Sequence, residues 1–150
     1  MSITKTCCCS TRYSNNYEPK MSVSLMAAIR NNWNSQNTRP SVPLQTEAGD
    51  YRTLPDESFT WFGHSTFLMR IKERNILVDP IFTQSRVLKA YEMDNKPDLE
   101  LFPEIDVVII SHSHYDHLDI GTLQMLHDRI RHVIIPLGVS RYLKGLFSSD

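Results

Sequence analysis

The pattern of apolar residues predicts an α/β domain over residues 58–150, and three features carry that reading. Ile105 to Ile110 is a β-branched run of the kind that fills a buried strand. Leu123, Leu126 and Ile130 then recur at i, i+3 and i+7, the spacing of a helix that buries one face. His132 to Ile135 reads as the next strand, closed by Pro136, so residues 105–135 form a strand, helix, strand unit with a right-handed crossover.

Residues 1–57 read as a polar tail, a short helix and an extended linker. Residues 1–20 are rich in Ser, Thr, Asn and Lys and carry no periodicity from which a core element could be built. Met21 opens a second Met-Ser and is a candidate true start. The segment from Ser24 to Trp33 reads as a short helix capped by Ser22 or Ser24. Pro40, Pro43 and Pro55 then mark an extended connection over residues 34–57. Phe59 to Trp61 and Thr66 to Ile71 read as strands around a Gly63-His64-Ser65 turn, and Glu73-Arg74-Asn75 reads as a hairpin turn into Ile76 to Val78. Asp79-Pro80 ends that strand, because proline cannot donate to the ladder. Residues 83–103 carry Lys89, Glu92, Asp94, Lys96 and Asp98 and read as a surface excursion. Asp119 is placed to cap the helix that follows, and Val139 to Phe147 reads as a final helix.

The chemistry is concentrated in Ser111-His112-Ser113-His114-Tyr115-Asp116-His117-Leu118-Asp119, directly after the buried strand. His112 and His114 are two apart, so in an extended strand end both project to one side and can hold one ion. Asp116 and His117 fall where the chain is turning and can face a second ion, as dinuclear hydrolases require. A polar loop that happens to be rich in histidine is the plain alternative. It demands a His-x-His-x-Asp-His coincidence between a strand and a helix start, and the metal reading is preferred. Asp79, at a strand end, is either a turn-capping aspartate or an acceptor that orients a ligand imidazole. His64, far from the motif in sequence, is expected to be structural or to line the pocket.

Composition excludes several classes. Lys plus Arg number 16 against 17 Asp plus Glu, with no basic run, which argues against nucleic acid as a partner. No apolar run approaches the roughly 20 residues of a membrane-spanning helix. All three cysteines are consecutive, Cys7, Cys8 and Cys9, so no disulfide can staple the domain. A reducing, cytoplasmic setting follows, with the cysteine cluster read as part of the tail rather than as an acylation or soft-metal site.

With the His-x-His-x-Asp-His motif, the runs Thr60-Trp61-Phe62-Gly63-His64-Ser65-Thr66, Ile76-Leu77-Val78-Asp79-Pro80-Ile81-Phe82, Ile110-Ser111-His112 and Pro136-Leu137-Gly138 resemble the metallo-β-lactamase-fold hydrolases. Within them the runs are similar to the branch containing N-acylphosphatidylethanolamine-hydrolysing phospholipase D. The resemblance covers about residues 58–147 and implies the first half of an αββα sandwich. It implies two zinc ions in the complete site, with His112 and His114 on the first, Asp116 and His117 on the second, and Asp116 also orienting the attacking hydroxide. The implied substrate is a small-molecule or lipid phosphodiester. In a family with a lipid-hydrolysing member, the helix from Ser24 to Trp33 either packs on the domain or makes peripheral contact with a membrane surface.

The family's later ligands, a histidine, a bridging aspartate and a last histidine, lie beyond where this chain stops. His64, His127 and His132 match none of them. A zinc on His112 and His114 alone is under-coordinated, since catalytic zinc takes about three protein ligands plus water. The chain is therefore expected to be a fragment or half of an assembly. Its half-sandwich leaves an apolar sheet face that favours self-association. A non-catalytic binding half and a lactonase-like hydrolase stand as the alternative functions.

Overall fold

A computed structural model describes residues 42, 44–47, 49–83 and 97–147. The segment from Ser24 to Trp33, Cys7, Cys8, Cys9 and most of the excursion after Thr83 lie outside the described residues.

Among the described residues, five strands form one sheet in the order β1-β2-β3-β4-β5: β1 Ser58–Trp61, β2 Phe67–Ile71, β3 Arg74–Val78, β4 Ile105–Ile109 and β5 Ile130–Ile134. β2 runs antiparallel to both β1 and β3, while β3, β4 and β5 are parallel. The β2–β3 turn is Lys72-Glu73, with Ile71 paired to Arg74. It falls one residue earlier than Glu73-Arg74-Asn75. Lys72 and Glu73 have φ of 48° and 60°, the two-residue turn whose twist matches the flanking strands. Asp56 accepts from the Glu73 backbone N–H at 2.9 Å and anchors the turn.

Between β4 and β5 the chain forms α1, Ile120–Met125, capped by Asp119, whose carboxylate accepts from the Gly121 N–H. The helix is shorter than its apolar spacing predicted. Leu123 and Leu126 are buried as expected, but Ile130 is the first residue of β5, opposite Ile105. Leu126 leaves the helical region at φ −97°, ψ 1°, and a 3-10 turn, His127–Arg129, delivers the chain to the sheet. The Arg129 guanidinium fixes this turn by donating to the carbonyls of Leu99, Glu100 and Phe102 at 2.7, 3.1 and 3.1 Å. The helix expected from Val139 to Phe147 is a 3-10 turn, Val139–Tyr142, entered through Gly138 at φ 84°. Gly145, at φ 81°, prevents its continuation.

The core lies on one face of the sheet. Leu68, Leu77, Val108 and Val133 stand in register across β2 to β5 and are at most 1% exposed. They cluster with Leu123, Leu126, Phe102, Val139, Leu143 and Phe147. Each such side chain contributes about 1.5–3 kcal/mol of burial. Order reaches further upstream than the linker reading placed it: Tyr51 packs on Phe62 and Phe102 with ring centroids 5.1 and 4.9 Å apart. Phe102, inside the expected surface excursion, is likewise core. The opposite face is apolar and uncovered among the described residues, with Phe59, Trp61, Ile71 and Ile134 exposed. A sheet with its core on one face and an open apolar face on the other is one layer pair of a sandwich.

Candidate metal centre

The register explains why distant residues meet. Trp61 pairs with Phe67, Phe67 with Val78 and Val78 with Ile109. The β1–β2 turn, the Asp79 corner and the loop after β4 therefore leave the sheet at one end, the carboxyl end of its parallel strands, where open α/β sheets bind ligands.

Asp79 organises this end. It is 2% exposed and sits at φ 40°, a left-handed conformation that costs a non-glycine residue roughly 1–2 kcal/mol. Its own N–H donates to the Ile109 carbonyl at 2.9 Å, and its carbonyl accepts from the Thr66 hydroxyl at 2.6 Å. The Ser111 N–H and hydroxyl donate to its carboxylate at 2.7 and 2.6 Å. His117 Nδ1 lies 2.8 Å from the same carboxylate, which assigns the proton to Nδ1 and leaves Nε2 free to ligate. Asp79 thus takes the orienting role rather than the turn-capping one alone.

The four predicted ligands fall into two neighbouring sets. His112 Nε2 and His114 Nδ1 are 3.0 Å apart, close enough to share an ion. Asp116 Oδ2 is 3.8 Å from His117 Nε2. The rings of His112 and His117 are 3.9 Å apart, which makes the two sets adjacent. The loop is closed by the His117 and Leu118 N–H groups, both donating to the His114 carbonyl. Burial raises the Asp116 carboxyl pKa, but its own backbone N–H and the neighbouring His117 and His64 outweigh that and hold it below the usual carboxylate value. Imidazole nitrogen and carboxylate oxygen are the donors that zinc and similar divalent ions take, so the residues fit such a metal.

The structure adds His64. Expected to line the pocket, it places Nε2 3.1 Å from Asp116 Oδ2, and its ring stands 5.0 Å from that of His117. His64, Asp116 and His117 offer ligand atoms that all lie within 4.8 Å of one another. His64 is held at φ 46° in a turn closed by Phe62 N–H to the Thr66 carbonyl and Thr66 N–H to the Gly63 carbonyl. The Trp61 indole N–H donates to its carbonyl at 3.0 Å. The separation of 52 residues hid this contact. The signal that could have found it was the hairpin register, which aims the Gly63-His64-Ser65 turn at the end of β3.

A sheet whose carboxyl edge carries a His-x-His-x-Asp-His loop over a buried aspartate defines a metal-binding α/β hydrolase class. Comparison with known proteins agrees: the β-lactamase superfamily domain matches residues 58–144. The chain belongs to that superfamily, the metallo-β-lactamase-fold hydrolases. It is 36% identical over 119 residues to an uncharacterised protein of Mycobacterium tuberculosis, covering 72% of this chain and 31% of that protein. It is 25% identical over 105 residues to an N-acyl-phosphatidylethanolamine-hydrolysing phospholipase D of Caenorhabditis elegans, covering 65% and 30%. A metal-dependent hydrolase of Lawsonia intracellularis is 37% identical over 59 residues, covering 39% and 22%. The chain thus spans about a third or less of the length of these relatives.

Proposed function

We propose that the chain carries the metal-binding half of a zinc-dependent hydrolase acting on phosphodiesters, in the phospholipase D-like branch. The observation that carries this reading is the adjacency of two donor sets on one loop, the second oriented by a buried aspartate. His112 and His114 would hold one zinc ion, and Asp116 and His117 the other. Bound zinc supplies a Lewis acid and a nucleophile at neutral pH. The chain's own part is positional: Asp79 keeps His117 Nε2 facing outward, and Asp116, 29% exposed and held ionised, accepts a hydrogen bond that orients the attacking water. The phosphodiester substrate is supported by the name of the C. elegans relative and by the sequence runs around His64 and Asp79. The consecutive cysteines support a reducing, cytoplasmic setting.

The test is a paired assay of a model phosphodiester and a lactone, with zinc-loaded and metal-stripped protein and zinc content measured alongside. Zinc binding that is weakened by His114→Ala is expected, with phosphodiester turnover only where further ligands complete the two sites. Lactone turnover alone moves the protein to a lactonase. Bound zinc without turnover of either substrate leaves a non-catalytic binding half.

A further inference from the structure

We infer that His64 is a third protein ligand of the ion held by Asp116 and His117, delivered by the β1–β2 turn. The inference rests on the metal-dependent reading above, yet it concerns this chain's own ligand set rather than the reaction. Ligand atoms about 2.0–2.1 Å from a tetrahedral zinc stand roughly 3.3 Å from one another. Two of the three separations in this group bracket that value, at 3.1 Å from His64 Nε2 to Asp116 Oδ2 and 3.8 Å from Asp116 Oδ2 to His117 Nε2, and the third is within 4.8 Å. Two imidazoles, one carboxylate and an open fourth position make a catalytic type of zinc site. His112 and His114, by contrast, bring two donors only.

The turn is built to hold His64 where it is. Its φ of 46° is a conformation that non-glycine residues adopt at a cost, and such strain collects at functional sites. The Trp61 indole fixes its carbonyl, and the next residue, Ser65, places its hydroxyl 3.0 Å from His117 Nδ1. The turn therefore touches both other members of the group, with His64 on Asp116 and Ser65 on His117. Side-chain exposures of 31%, 29% and 16% for His64, Asp116 and His117 leave the group open on one side, as a site that takes both an ion and a substrate requires.

The competing account is a histidine that merely hydrogen-bonds Asp116, and the experiment separates the two. The full chain, with nitrogen-labelled histidine, is loaded with an NMR-active cadmium isotope, and one-bond metal–nitrogen couplings are recorded. Coupling to Nε2 of both His64 and His117 is expected. His64→Asn, which tolerates the left-handed backbone, identifies the His64 signal by removing it and should weaken cadmium binding at this position about tenfold or more. Coupling at His117 without coupling at His64 overturns the inference, as does a chain in which this group binds no cadmium. Neither of those results decides the phosphodiester reading, which stands or falls on the turnover assay.

Discussion

Asp79 shows how one residue can serve fold and site together. Its backbone joins β3 to the end of β4, while its carboxylate collects two donors from Ser111 and the Nδ1 proton of His117. Asp79→Asn keeps the shape and removes the carboxylate that accepts from His117 Nδ1. The variant is expected to fold, judged by circular dichroism, and to bind zinc about 10–100-fold more weakly in a competition titration. Unchanged affinity would mean that His117 is oriented by Ser65 and Ser111 alone. Asp119, two residues past the loop, is purely architectural: it accepts from Thr83 N–H, Thr83 hydroxyl and Thr122 hydroxyl and so fastens the chain after β3 to the start of α1.

At the scale of elements, the parallel β3–β4–β5 unit is held at its far end by Asp106. The carboxylate accepts from the Asn75 N–H at 3.0 Å and from Arg74 at 2.8 Å, with Arg131 at 3.5 Å. Burial raises its pKa, but the Asn75 hydrogen bond and the two guanidiniums outweigh it and the net displacement is downward. A carboxyl depressed in the folded state contributes stability that is complete above its unfolded value of about 3.9 and is lost as pH falls through the folded value. Arg74 and Arg131 are largely exposed, so the backbone hydrogen bond carries most of the effect. Asp106→Asn is expected to cost about 1 kcal/mol at pH 7 in urea unfolding. The gap to the native chain should close below about pH 4. A gap that persists in acid would assign the loss to packing rather than to charge.

For the whole molecule, the decisive feature is the second face of the sheet. Phe59 and Trp61 on β1, Phe67, Met69 and Ile71 on β2, Ile76 and Val78 on β3, Val107 and Ile109 on β4 and Ile134 on β5 share it by register, with Arg74 and His132 as its polar members. A largely apolar face of this extent, open among the described residues, is the kind that binds another surface. Being one patch on one chain, it can meet its own copy about a two-fold axis. Sedimentation velocity is expected to show concentration-dependent self-association, weakened severalfold by Phe59→Lys at a residue that is 60% exposed. A monomer at every concentration would sink that expectation.

How much of this was legible follows from the range of each interaction. The α/β class, the strand from Ile105, the Asp119 cap and the clustering of His112, His114, Asp116 and His117 on one loop rest on short sequence windows and could be read there. The end of α1 before Ile130 and the breaking of the last helix at Gly138 and Gly145 depart from the apolar spacing, because sheet pairing and left-handed glycines override a period of 3.6. The placement of His64 against Asp116 and the division of Asp79 between backbone joint and imidazole holder depend on strand register across more than thirty residues. Sequence alone determined which donors this protein owns, since side-chain identity and local spacing are one-dimensional facts. Only the tertiary structure decided which donors stand close enough to share an ion, because that is set by how hydrogen-bonded strands align their ends in space.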